Sequence, residues 1–175
     1  MLEPGQPAPD FELPDADMQT VDLSTFKGKK NVVLYFYPKD GTPGCTLVTT
    51  DFSDHEEQFV KHDCVVLGVS RDDCLTHADF RDRNGVTIGL LSDTEGEVCR
   101  KYGVIQDKQT EDGVRRECLV RSTFVIDKKG VIRHADVVIV DMPPTLHDRT
   151  FAVLAGRFLG RVVVLLQEGE HAEAL

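Results

Sequence analysis

The sequence predicts an α/β fold, a mixed sheet with helices on both faces. Three observations carry this. "NVVLYFY" (31–37) and "CVVLGVS" (64–70) are short, unbroken runs of β-branched and aromatic residues. Such runs suit strands buried on both faces of a parallel sheet. A helix-length segment lies between them, so the three make a βαβ unit. Farther on, "STFVIDKKGVIRHADVV" (122–138) alternates on both sides of "DKKG", the pattern of an antiparallel hairpin.

In chain order, the first 15 residues hold four prolines and predict an extended arm. After the 31–37 strand, a helix is expected over roughly 44–61, with Leu47, Val48, Phe52 and Phe59 toward one side. The 64–70 strand follows, then a helix over roughly 72–83 with Asp72 or Asp73 as its cap. "TIGLLSD" reads as a short strand entering a loop. "TEGEVCRKYG" reads as a helix capped by Thr94, with Glu97 at the capping-box position and Gly103 ending it. The hairpin comes next, and a last helix is expected within 145–160. The order β-α-β-α-(β)-α-β-β-α suits an α/β, thioredoxin-like layout.

The 175 residues are ordinary for one core. A domain is expected over 1–160, with 161–175, "VVVLLQEGEHAEAL" and the arginine before it, as a C-terminal tail of no assigned role. Apolar residues make up 41% and charged residues 29%, the profile of a soluble globular chain. The net charge of −10 argues against nucleic acid, whose phosphates attract basic faces. "MLEPGQPAPDFELPD" has neither the basic start nor the apolar core of a signal peptide. "FAVLAGRFLGRVVVLL" carries Arg157 and Arg161 and is too short to span a bilayer. Five cysteines without framework spacing then predict reduced thiols in the cytoplasm.

One of those thiols is singled out by its place. In "YFYPKDGTPGCTL", the apolar run stops at Pro38, a tight loop follows, and Cys45 sits where the next helix begins. Sites in parallel units lie beyond the carboxyl ends of strands. A helix start offers unpaired N–H groups and partial positive charge, which favour the anionic form of a thiol. An ordinary thiol of pKa about 8.5 is roughly 3% thiolate at pH 7. Full ionisation therefore supplies only about 2 kcal/mol, and the rest of an efficient rate must come from groups that hold substrate and transition state. Thr42, three residues earlier, offers a hydroxyl that donates and accepts. Pro38 offers an apolar wall without an N–H. The same residues would also serve a turn and a helix cap.

The spacing Pro38-x-x-x-Thr42-x-x-Cys45 matches the peroxiredoxin signature, and "FYPKDGTPGCT" resembles the bacterioferritin comigratory protein, or PrxQ, branch of that family. "PGQPAPDFEL", "VVLGVSRD", "LLSD" and "RSTFVID" resemble the family's other blocks in the same order, over roughly residues 3 to 138. The resemblance implies a thioredoxin fold and a thiol peroxidase that needs no metal or organic cofactor. It implies that Cys45 is the peroxidatic cysteine, with Pro38 shielding it and Thr42 orienting the peroxide. Arg121, in "VRSTF", matches the family's active-site arginine. A guanidinium opening an apolar strand suits that role, and would also suit a surface charge at a strand end. Hydrogen peroxide and organic hydroperoxides are the implied substrates, and thioredoxin or another thiol the implied reductant. A monomer or homodimer is expected.

Recycling departs from the pattern. The branch's usual resolving cysteine positions correspond to Thr50 and Arg81. Of the other cysteines, Cys64 and Cys99 read as buried and Cys118 as partly exposed. Cys74 starts the second helix at the same sheet edge as Cys45, seven residues and about two turns before Arg81. Cys74 and an external thiol are therefore the leading resolving candidates. Other readings are weaker. A disulfide oxidoreductase would carry a second cysteine where Val48 stands. A metal module could draw on His62, Cys64, Cys74 and His77, but their spacing fits no standard zinc pattern and both histidines read as solvated helix-end residues. A non-enzymatic adaptor would require Thr42 or Arg121 to be misplaced.

Overall fold

The computed structural model describes residues 2–109 and 115–136. The expected helix within 145–160 and the tail from 161 lie outside them. Nine strands and four α-helices are present among the described residues. β1 (Glu12–Pro14) pairs antiparallel with β2 (Thr20–Asp22), and a 3-10 turn covers Leu23–Phe26. The expected βαβ unit follows as β3 (Asn31–Phe36), α1 (Pro43–Asp54), α2 (Glu56–Lys61) and β4 (Cys64–Ser70). Then come α3 (Cys74–Asn84), β5 (Gly89–Ser92), α4 (Glu97–Lys101), a hairpin of β6 (Ile105–Gln109) and β7 (Arg115–Leu119), and the hairpin of β8 (Ser122–Ile126) and β9 (Ile132–Asp136).

The central sheet has the order β5-β4-β3-β8-β9. β3, β4 and β5 run parallel, and β8 pairs antiparallel with β3 on its other side. Alternation along β3 divides its apolar run between two cores. Val33, Tyr35 and Tyr37 pack with Phe52 of α1, Phe59 of α2 and Phe80 of α3. Val32, Leu34 and Phe36 face Phe11 and Leu13 of the N-terminal arm, and Val98 and Tyr102 at α4. The proline-rich arm is thus a cover for one face. It is held by Gly5 N–H donating to Ile132 O at 2.7 Å and Ala8 N–H to Gly130 O at 2.9 Å.

Two helix expectations are corrected and a third, the α3 cap, is met. The 44–61 helix is two helices that meet at His55. Along α1, Thr46, Thr50 and Ser53 each donate a hydroxyl to the carbonyl four residues back, and His55 Nδ1 lies 2.8 Å from Asp51 O. Side-chain competition of this kind bends and ends helices. Leu47 is exposed, while Phe52 and Phe59 are buried and Val48 is partly so. Thr94 does not cap α4; Gly96 holds the cap position, and buried Asp93 accepts from Val98 N–H at 3.3 Å and Cys99 N–H at 2.7 Å. At α3, Asp73 is the cap, its carboxylate accepting from Thr76 N–H at 2.7 Å, and Gly85 ends the helix at φ +64°, where a side chain would be strained.

Candidate active site

β3 ends beside β4, with Tyr37 N–H still donating to Val69 O at 3.0 Å, and the chain turns out through Pro38 to Gly41. Gly41, at φ +74°, makes the return. Thr42 stands at the cap of α1, and Pro43, which has no N–H to lose, takes its first position. Cys45 is the third residue of that helix and is 1% exposed. One turn later, buried Thr49 lies 3.0 Å, hydroxyl to hydroxyl, from Tyr35 on β3, which ties the start of α1 to the sheet.

Arg121 reaches this helix start through strand register. β3 and β8 are antiparallel with Phe36 opposite Ser122. The residue before β8 therefore emerges at the carboxyl end of β3. Arg121 Nη2 donates to Cys45 Sγ at 3.2 Å. Gly44 makes the approach possible: a Cβ there would lie 2.9 Å from both Nη1 and Nη2 of Arg121. The small size of Gly44 beside Cys45 is the signal in the sequence that this helix start admits a neighbour.

The other predicted residues are disposed as follows. The Thr42 hydroxyl makes no cap bond; it donates to Lys39 O at 3.3 Å, which leaves its lone pairs for another donor. Pro38 is exposed. Thr50 spends its hydroxyl on Thr46 O and Leu47 O. Arg81 pairs with Asp17 at 2.9 Å and Asp82 at 3.0 Å, and those partners raise its already high pKa. Cys74 opens α3 and is half-buried, as is Cys118 on β7. A cleft of about 430 Å³ lies beside Cys74, lined also by Phe11, Leu13, Ser92 and Lys101; Cys45, Thr42 and Arg121 are not part of it. Cys64 and Cys99 are buried. Burial pushes the Cys64 thiol up to about 12, and burial together with Asp93 pushes Cys99 up as well. Both are poor nucleophiles for that reason.

His77 contradicts its reading as a solvated helix-end residue. It is fully buried, with Nδ1 2.6 Å from Asp40 Oδ2 and Nε2 3.2 Å from Leu91 O. Asp40, in the loop before Cys45, was not singled out from the sequence. Its other oxygen accepts from Tyr37 O–H at 2.7 Å, and its own N–H donates to Asp72 Oδ2 at 2.7 Å. Asp72, expected as a possible helix cap, is therefore occupied by the loop and by the Ser70 hydroxyl. Among the described residues no group of three or more histidine, cysteine or acidic side chains is placed to hold a metal ion.

Known proteins resemble this chain over most of its length. The profile of the AhpC/TSA family matches residues 4–135. A putative peroxiredoxin bcp of Coxiella burnetii is 44% identical over 131 residues, covering 75% of this chain and 85% of its own length. Peroxiredoxin Bcp of Bacillus subtilis is 43% identical over 129 residues, covering 74% and 81%. Among solved structures, the bacterioferritin comigratory protein of Xanthomonas campestris, described for its alkyl peroxide reduction, superposes with a TM-score of 0.69 at 32% identity, over 72% of this chain and 79% of its own. BcpB of Mycobacterium tuberculosis gives 0.70 at 31% identity, over 78% and 86%. With a thioredoxin-like sheet and a cysteine at the helix start beyond β3, the chain belongs to the AhpC/TSA family, in its Bcp and peroxiredoxin Q branch, and is a thiol-dependent peroxidase.

Proposed function

We propose that Cys45 is the peroxidatic residue, with Thr42, Arg121 and Pro38 completing its site, and that the reaction runs as follows. The Cys45 thiolate attacks one oxygen of a hydroperoxide. The O–O bond breaks, the attacked oxygen stays on sulfur with its hydrogen as sulfenic acid, and the leaving oxygen takes up a proton to depart as water or an alcohol. Arg121 donates to sulfur and to the charge that develops on the leaving oxygen. The Thr42 hydroxyl accepts from the peroxide O–H and orients it. Pro38 borders the opening. The observation that carries this reading is the Arg121 Nη2 to Cys45 Sγ hydrogen bond of 3.2 Å at a helix start.

Cys74 then attacks the Cys45 sulfenic sulfur, water leaves, and a Cys45–Cys74 disulfide forms. Thioredoxin reduces it by exchange through a mixed disulfide. Support comes from the place of Cys74 at the first residue of α3, beyond the carboxyl end of β4, which neighbours β3. The cleft beside it gives an incoming thiol room. Both hydrogen peroxide and organic hydroperoxides are taken as substrates, in the cytoplasm, by a domain spanning 1–160. Among the described residues no helix is long and apolar enough to cross a membrane. Intact mass after one equivalent of hydrogen peroxide tests the scheme. A loss of about 2 Da with a Cys45–Cys74 peptide link supports it. A lasting gain of about 16 Da would remove Cys74 and leave resolution to an external thiol.

A further inference from the structure

Between Pro38 and Gly44 the loop that delivers Cys45 has one buried residue, Asp40. Pro38, Lys39, Gly41 and Pro43 are exposed, so the seating of Asp40 fixes the path of the loop. Its partners are Tyr37 O–H at 2.7 Å, His77 Nδ1 at 2.6 Å and, through its N–H, Asp72 Oδ2 at 2.7 Å. Leu91 O can only accept, so His77 Nε2, 3.2 Å away, carries a hydrogen. A carboxyl oxygen and Nδ1 at 2.6 Å must have a proton between them. The contact thus holds one shared proton and is neutral as a pair, a form that burial tolerates. Breaking it would leave two buried polar atoms, Asp40 Oδ2 and His77 Nδ1, without this partner, which is costly.

We infer that Asp40, His77, Tyr37 and Asp72 form a latch that positions the Cys45 loop by hydrogen bonding. The inference rests on the reading of Cys45 as the peroxidatic residue. These are positioning residues, since none is within hydrogen-bond reach of Cys45 in the contacts described above. The latch has a second consequence. Asp72 and His77 stand on either side of Cys74, two residues before it and three after. Loosening the first turn of α3 to bring Cys74 to Cys45 therefore also releases the partners of Asp40. Loop and helix would let go together.

Two measurements on the full chain test the latch. The first is the rate at which hydrogen peroxide oxidises Cys45. Asp40→Ala and His77→Ala each slow it by roughly tenfold or more, the effect of unseating a positioned donor. Asp40→Asn stays within roughly threefold of the parent, because its amide donates to Nδ1 while its oxygen still accepts from Tyr37. The second is backbone amide exchange across residues 38–46, read without peroxide. Exchange quickens in His77→Ala and keeps the parental rate in Asp40→Asn. Parental oxidation rates in both alanine variants, or equal slowing in Asp40→Ala and Asp40→Asn, would overturn the latch. Should the alanine variants fail to fold, Tyr37→Phe removes a single donor to Asp40, and unchanged exchange across 38–46 in it would overturn the latch. If peroxide oxidises a different thiol in the parent, the reading of Cys45 falls, and amide exchange alone decides the latch.

Discussion

Gly44→Ala separates chemistry from stability at this site. The added Cβ would sit 2.9 Å from Nη1 and Nη2 of Arg121, whereas carbon and nitrogen in contact need about 3.5 Å or more. The guanidinium is the far end of a flexible side chain and retreats by roughly 0.7 Å, which stretches its contact with Cys45 Sγ from 3.2 Å to about 4 Å. With a thiolate at an effective dielectric constant of about 20, that retreat loses about 1 kcal/mol, or roughly fivefold in rate. Loss of the directional hydrogen bond raises the expected slowing to roughly five- to fiftyfold. Stability moves the other way or stays level. Alanine gains up to about 1 kcal/mol over glycine in a helix, and the only strain falls on a side-chain tip. Stopped-flow oxidation by hydrogen peroxide and denaturant unfolding read the two effects. A parental oxidation rate would refute the role given to the Arg121 contact. A slower rate with a matching loss of stability would show that the substitution disturbs the fold instead.

Other expectations follow from the same geometry. Thr42→Val and Arg121→Met each slow peroxide reduction by roughly ten- to a thousandfold, the range for one transition-state donor, and slow alkylation of Cys45 by a neutral reagent much less; equal slowing of both reactions would mean that they act only on the thiolate population. Cys74→Ser keeps the first, stoichiometric burst of peroxide consumption and loses turnover with thioredoxin; parental cycling would make Cys74 a bystander and bring Cys118 or an external thiol forward. Asp93→Ala, which strips the two N–H groups at the start of α4 of a buried acceptor, costs about 1–3 kcal/mol in urea unfolding, and an unchanged midpoint would contradict its capping role.

What the sequence revealed depended on whether the signal was local. The run 31–37 reads as a doubly buried strand because its alternating residues serve two cores. Cys45 is legible because loop chemistry and helix start lie within eight residues of sequence. Arg121 needed the family resemblance, since strand register brings it to Cys45 across a separation of 76 residues. His77 reads as solvated in the sequence for the same reason. Its partner Asp40 is 37 residues away, and a polar helix flank looks solvated until the loop is seen beneath it. One local hint existed: His77 and Phe80, both buried, are spaced to share a helix face. The break at His55 depends on side-chain hydrogen bonds that apolar periodicity does not register. The β6–β7 hairpin is hard to read from the sequence: Asp112-Gly113 is a hairpin signal, but few of the flanking residues are apolar.

The central claim, that Cys45 is the thiol that meets peroxide, is tested most directly by Cys45→Ser. Peroxide consumption is followed over the first turnover and in the steady state, with unfolding measured on the same sample. The expected result is loss of both the burst and the turnover in a chain that unfolds as the parent does. A near-parental burst in the folded variant would contradict the account and move the chemistry to another cysteine.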